Sequence, residues 1–173
     1  VQIEINRVIA AKNADGKSVF VDLGEPYSEP VGGLGLVNVW GTELGVPTVT
    51  SGEVPQPVIH PVFPGPGASR LTVAFFPPDS ASVDDSTPAK DPEVVQPGLI
   101  GVYESDHPGF HTTDTVDYGI CLSGEIHLEL DDGEMRKITP GTIVVQLGSR
   151  HAWRNLSDNV ATMIFVLLGA NRT

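Results

Sequence analysis

The chain opens on Val1, Ile3 and Ile5 alternating with Gln2, Glu4 and Asn6, the period-two pattern of a strand with one apolar face. That spacing predicts a strand within residues 1–11. The turn signal Asn13-Ala-Asp-Gly16 follows, and residues 18–23 read as the return strand. Residues 32–40 are glycine-rich but run into Leu36, Val37, Val39 and Trp40, a further strand. Residues 45–69 hold repeated Pro and Gly turn signals and read as loop around a short strand at most, before the strand-like run 70–76. Residues 77–98 are irregular and acidic with five prolines, and the pattern leaves open a solvated excursion or a lid over a pocket. Within them Asp91-Pro-Glu93 is a helix start, with Asp91 as cap and Pro92 in the first turn.

From residue 98 onward the pattern tightens. Seven short strand-like runs, at 99–104, 117–123, 125–130, 135–138, 142–147, 152–155 and 160–168, are separated by Gly124, Asp132-Gly133, Pro140-Gly141, Gly148-Ser149 and Ser157-Asp-Asn159. Strands at about ten-residue spacing predict an all-β sandwich or barrel. At 173 residues the chain is expected to be one domain. Residues 1–76 would supply flanking strands, 77–98 an acidic Pro-rich loop, and 99–170 the barrel core.

Composition agrees with that fold class. Gly (19) and Pro (15) make up about a fifth of the chain against a usual ~12%, and both disfavour helix interiors. Charge narrows the function classes. With 22 acidic and 10 basic residues the net charge is −12, which argues against a nucleic-acid partner. The longest apolar run, residues 160–170, is about half the roughly 20 residues a spanning helix needs, so no membrane span is expected. A single cysteine excludes an internal disulfide, and Cys121 reads as a small buried apolar residue. No signal segment is visible, and the expected location is the cytoplasm.

The candidate chemistry lies in the histidines. His111, Thr113 and Asp117 share parity, as do His151, Trp153 and Asn155, so each set faces one side of a sheet where the backbone is extended. Trp153 would line a pocket beside His151 or simply fill core. His127 sits where the apolar neighbours Ile126 and Leu128 have the opposite parity, which places it on an outer face. His60 and His107 lie beside prolines in loops, with no role expected.

Gly109-Phe-His111-Thr-Thr113-Asp-Thr-Val-Asp117-Tyr-Gly-Ile-Cys-Leu-Ser-Gly124 resembles the first motif of the cupin superfamily, His-x-His, three or four residues, Glu, six residues, Gly. Pro140-Gly141 with Gln146-Leu-Gly148-Ser-Arg-His151-Ala-Trp-Arg-Asn155 resembles the second, Pro-x-Gly-x-x-His-x-x-x-Asn. Thr113 replaces the second histidine, Asp117 the glutamate and Gln146 the proline. The local text is similar to that of small single-domain cupins, some of them encoded in microbial polyketide and other secondary-metabolite pathways, where dehydratase-type roles are proposed.

The resemblance implies a jelly-roll (double-stranded β-helix) barrel with extra N-terminal strands, a homodimer formed through those strands' edges, and a small-molecule site. In that site His111, Asp117 and His151 would be catalytic and would also form the metal set. Thr113, Trp153 and Asn155 would touch substrate. Two histidines and a carboxylate can hold Fe, Mn, Ni or Zn, although Asp is one methylene shorter than Glu. Asp117 could instead orient an imidazole by accepting its N–H. The residues leave three functions open. The first is a lyase, dehydratase or isomerase using histidine acid–base chemistry on a hydroxylated polyketide-like or aromatic metabolite. The second is an Fe(II)-dependent dioxygenase. The third is a non-catalytic small-molecule binder.

Overall fold

A computed structural model describes residues 3–49, 51–81 and 90–173. Its strands are β1 (Ile9–Lys12), β2 (Ser18–Val21), β3 (Tyr27–Ser28), β4 (Gly35–Thr42), β5 (Ser69–Phe76), β6 (Thr115–Ser123), β7 (Ile126–Glu129), β8 (Met135–Ile138), β9 (Ile143–Leu147), β10 (Ala152–Arg154) and β11 (Ala161–Gly169). One short helix, α1 (Pro92–Val95), lies between β5 and β6. Six strands form one antiparallel sheet in the order β3-β4-β5-β11-β6-β9, and three form a second in the order β10-β7-β8. The hairpin β1-β2 stands apart.

The two larger sheets face each other because their long strands alternate. On β6, Thr115, Asp117, Gly119 and Cys121 are buried while Tyr118 and Leu122 face out. On β11, Met163, Phe165 and Leu167 point inward. Ile126, Ile138 and Ala152 of the smaller sheet complete the interior. The chain crosses from sheet to sheet between β6 and β7, between β8 and β9, between β9 and β10, and between β10 and β11, which makes the fold a jelly-roll barrel. The first crossing depends on Gly124. Its φ is +72°, and a Cβ there would come 2.5 Å from the Val160 carbonyl oxygen, so only glycine fits the corner.

Most sequence expectations have a counterpart. Asp91 caps α1, its Oδ1 accepting from the Glu93 N–H at 3.0 Å, with Pro92 leading the first turn. Residues 45–68 form no named strand among the described residues, and β5 takes in the last residue of that stretch, Ser69. Cys121 is buried, with 2% of its surface exposed.

Two strand expectations need correction. Residues 99–104 are not a strand. Gly98 at φ +79° turns the chain, Leu99 enters the right-handed helical region, and a 3-10 turn (Ile100–Val102) follows. Only Tyr103 reaches a ladder, as a single bridge to His111. The turn is held from outside, because fully buried Gln96 accepts from the Asn38 amide (2.8 Å) and donates to the Glu29 carbonyl (2.9 Å). At the N-terminus, the alternation at residues 3–6 does not form a strand, and β1 begins only at Ile9. Val1 and Gln2 of that pattern, and residues 82–89 of the acidic stretch, lie outside the described residues. No helix among the described residues is long and apolar enough to cross a membrane.

Candidate functional site

His111 and His151 lie forty positions apart in the chain and meet at one point in the barrel. Each donates its backbone N–H to the other's carbonyl at 3.0 Å, an isolated antiparallel bridge between the approach to β6 and the start of β10. Their rings follow, with centroids 4.2 Å apart. Each ring is fixed by a local contact of the same kind. His111 Nδ1 lies 3.1 Å from the Gly109 carbonyl oxygen, and His151 Nδ1 lies 2.9 Å from that of Ser149. A carbonyl only accepts, so each Nδ1 carries the proton, and each Nε2 keeps its lone pair. Gly109 supplies its carbonyl from a left-handed conformation (φ +84°).

Both imidazoles line a cavity of about 520 Å³, counting its open mouth, between the two sheets. Its walls are mostly apolar and include Leu36, Val62, Phe63, Leu99, Phe165 and Leu167. Tyr103 lies against His111 (centroids 4.6 Å) and Trp153 stands edge-on to His151 (6.1 Å). Asp117 of β6 and Gln146 of β9 supply the remaining ionisable and amide groups of the wall. They are partners in the β6-β9 ladder and therefore share the inward face. Each is 4% exposed, and Asp117 Oδ1 and Gln146 Nε2 are buried with no hydrogen-bond partner.

Burial dictates the electrostatics. Both histidines favour the neutral form. His111 is lowered mainly by desolvation, against the Gly109 hydrogen bond and the charge of Glu104. His151 falls to about 4 through desolvation and then the neighbouring charge of His111, partly offset by its bond to Ser149. Asp117 moves the other way, to about 6, because desolvation outweighs a hydrogen bond from Thr115. Burial also raises the Tyr103 phenol. The wall therefore holds two neutral imidazoles and a carboxyl that titrates close to neutrality.

Two expected substrate contacts are placed elsewhere. Thr113 shares the parity of His111 and is buried, but it lines a separate cavity with Thr115 and Arg172. Its hydroxyl bonds that of Thr115 at 2.7 Å. Asn155 is 1% exposed and ties down a turn. Its Nδ2 donates to the Phe76 and Asn159 carbonyls (2.8 Å each), and its Oδ1 accepts from Ser157. Strand parity predicted its face, but β10 ends at Arg154 and the chain turns away there.

The arginines at the mouth are already engaged. Arg150 bonds both oxygens of Glu104 and one of Asp131, at 2.7 Å each. Arg154 bonds Glu129 at 2.6 Å and the Pro108 carbonyl at 2.9 Å. His127 lies on the outward parity of β7, half covered, and its Nδ1 is buried without a partner. Residues 77–81 reach the site's rim, where Pro77, Pro78, Asp79 and Ala81 line a groove shared with His111 and Trp153. Tyr103 and Gln146 were not singled out from sequence. Gln146 left a signal, since it stands where the second motif has proline.

A metal held by three groups at about 2.0–2.2 Å requires ligand atoms within about 4.4 Å of one another. Among the described residues, the one group of three His, Cys, Asp or Glu gathered within 4.8 Å is Glu104, Asp106 and His107, at the rim. Its Glu104 is already paired to Arg150. His111 and His151 offer two free Nε2 donors of the type that holds divalent metals. Asp117 does not close with them into a three-ligand set, so the expected trio does not fit a metal as placed.

No family model matches this chain. Among curated proteins it is 40% identical over 91 residues to phomopsin biosynthesis cluster protein D of Diaporthe leptostromiformis, covering 49% of this chain and 47% of that protein. It is 37% identical over 84 residues to oryzines biosynthesis cluster protein J of Aspergillus oryzae, covering 46% and 47%. With the cupin-domain-containing oxidoreductase virC of Hypocrea virens the identity is 27% over 174 residues, covering 94% of this chain and 74% of that one. The matched stretch spans about half the length of the first two relatives. Among solved structures, a cupin 2 conserved barrel domain protein from Salinispora arenicola is similar at a TM-score of 0.44 and 17% identity, covering 83% of this chain and 82% of that one. A putative ethanolamine utilization protein Q from Salmonella typhimurium is similar at 0.43 and 13%, covering 95% and 96%.

Proposed function

We propose that the chain is a cupin-type enzyme of a biosynthetic gene cluster. In this reading it acts as a lyase or dehydratase on a neutral, hydroxylated, largely apolar metabolite, polyketide-like or aromatic. The observation that carries this is the pairing, within one apolar cavity, of imidazoles whose Nδ1 atoms are committed to backbone carbonyls with a buried carboxyl shifted to about 6. The sequence likeness to biosynthesis cluster proteins supports the pathway context.

The chemistry follows from protonation states. His111 Nε2 takes a proton from the carbon next to a substrate carbonyl. Of the two imidazoles His111 suits this better, because the charge of Glu104 favours its protonated form. The departing hydroxyl on the β-carbon needs a proton, which a protonated Asp117 supplies, as carboxyls raised by an apolar site do elsewhere. The α C–H and β C–O bonds break, a C=C bond forms, and water leaves. His151 stays neutral and shapes the wall, and the apolar lining keeps bulk water from quenching the carbanion.

A second reading, an Fe(II)-dependent dioxygenase, is favoured by the name of the relative virC, a cupin-domain-containing oxidoreductase. It requires a third ligand that Asp117, as placed, does not provide.

The test uses 4-hydroxy-4-phenylbutan-2-one, which dehydrates to a conjugated enone that absorbs in the near ultraviolet. Enone formation, with deuterium exchange at the α-carbon in D₂O and loss of both in His111→Gln, is the expected result. Elemental analysis of wild type and His151→Ala, with oxygen uptake after Fe(II) addition, covers the second reading. Ligand binding with neither turnover nor exchange would leave a non-catalytic binder and overturn the proposal.

A homodimer is part of the same proposal, with β9 rather than the N-terminal strands as its face. β9 is an edge strand that pairs only with β6 among the described residues. Its outward residues Ile143, Val145 and Leu147 are 67%, 58% and 75% exposed, beside Tyr118 and Leu122. A second copy is the occupant that fits. Antiparallel pairing about Val145 sets Ile143 against Leu147 and each N–H against a carbonyl. The face carries no charge, so two chains of net charge −12 can meet there without direct repulsion.

A further inference from the structure

We infer that Gln146 and Asp117 form a two-point anchor for the ligand, recognising a carbonyl acceptor beside a hydroxyl or N–H donor. The two side chains stand opposite each other in the β6-β9 ladder and line the same cavity. Each is more than nine-tenths buried, and each holds an atom with no partner, a donor on Gln146 and an acceptor on Asp117. Burying such an atom unpaired forfeits its hydrogen bonds to water with no return. Folded proteins rarely carry two side by side unless a water or ligand completes them. The wall around them is otherwise apolar apart from the two imidazoles, Thr72, the Tyr103 phenol and the Trp153 indole, so a ligand entering the cavity meets few competing polar groups.

The pair sets a substrate class. Gln146 Nε2 donates to a carbonyl oxygen, and the Asp117 carboxyl meets the adjacent group, accepting from a hydroxyl or N–H when ionised and donating to a hydroxyl when protonated. The hydroxyl and carbonyl of a β-hydroxy ketone meet both requirements, and so does the edge of a cis-lactam. A hydrocarbon meets neither, and an N-alkylated lactam meets only one. In the dehydratase reading, on which the catalytic part of this inference rests, Gln146 also stabilises the negative charge that gathers on the carbonyl oxygen as the α-proton leaves. The residue stands where the resembled motif has proline, which has no donor to offer.

The experiment uses unreactive probes, so it does not depend on turnover. 2-Quinolinone presents C=O and N–H together, 1-methyl-2-quinolinone lacks the donor, and quinoline lacks both groups. Affinities are measured by calorimetry. The side-chain amide resonances of Gln146 are followed in nitrogen-15 correlation spectra of the wild type. We expect 2-quinolinone to bind about tenfold more tightly than its N-methyl analogue, with a shift of the Gln146 amide protons. In Gln146→Leu both carbonyl probes should weaken about tenfold, and in Asp117→Leu the preference for 2-quinolinone over its N-methyl analogue should shrink to about threefold or less. Equal binding of all three probes would mean that the pair is closed by a buried water or by mutual contact, overturning the anchor while leaving the cavity as a ligand site. Binding by none of them would overturn both the anchor and the ligand site of the proposed function.

Discussion

His111 and His151 exchange both hydrogen bonds of a one-residue bridge, 3.0 Å each way, and carry their rings to 4.2 Å centroid separation. The main chain, not the side chains, brings the two imidazoles together. His111→Gln and His151→Gln are therefore expected to keep the bridge and the fold. Loss of the general base should lower turnover of the hydroxy ketone by about 10²–10⁴-fold in His111→Gln, and His151→Gln should lose less. Thermal unfolding measured beside the rate separates the two effects. Equal losses in both variants would contradict the assigned roles.

The pH profile of the same reaction should be bell-shaped and narrow. The acid limb follows His111, which must be neutral, and lies below the ordinary histidine value of 6.5. The alkaline limb follows Asp117, which must be protonated, and lies near 6. Activity should therefore fall between pH 6 and 8, and an optimum at pH 8 would rule out Asp117 as the proton donor.

The same groups act on stability in opposite directions. His151, lowered from 6.5 to about 4, makes the folded state bind fewer protons than the unfolded chain between those values, so stability is lost as pH falls from 6.5. His111 acts in the same sense. Asp117, raised from 3.8 to about 6, makes the folded state bind more protons, so its strain is relieved as pH falls through 6. A shift of either size is worth about 3 kcal/mol, so Asp117 offsets His151 across most of the range from 6 to 4. Urea midpoints at pH 6.5 and 4.5 should change modestly in the wild type and fall steeply in Asp117→Asn. Parallel behaviour of the two proteins would refute the opposition.

Asn155 is a structural residue in this geometry. Asn155→Ala leaves the Phe76 and Asn159 carbonyls without their donor and should cost about 2–4 kcal/mol in urea unfolding. Probe affinity of the folded variant should be unchanged. A selective loss of affinity would return Asn155 to the ligand site.

Val145→Asp places two carboxylates at the centre of the symmetric face proposed for β9. Analytical ultracentrifugation at micromolar concentration should show a dimer for the wild type and a monomer for the variant. A wild-type monomer under those conditions would dispose of that face as a self-association surface.

Much of the barrel was legible from the order of residues because strand signals are local. Period-two burial on β6 and β11, glycine at the Gly124 corner and the Asp91 cap need only neighbouring residues to be read. The parity of His111 and Asp117 was readable for the same reason. Other features needed three dimensions. The apolar text of residues 99–104 suits a strand, yet a turn forms there because buried Gln96 is held by Asn38 and Glu29, both distant in sequence. Asn155 shares parity with His151, but β10 stops one residue earlier, and the amide is taken up by carbonyls from elsewhere. Pairing of β6 with β9 sets Gln146 opposite Asp117, and the closing of two sheets buries Gln146 Nε2 and Asp117 Oδ1 without a hydrogen-bond partner in the protein. Within the strands that form, the sequence by itself determined which residues face inward, since alternation is a property of the strand. Which inward residues meet, and which are left unsatisfied, only the tertiary structure decided, because both depend on strand neighbours and desolvation that no local pattern encodes.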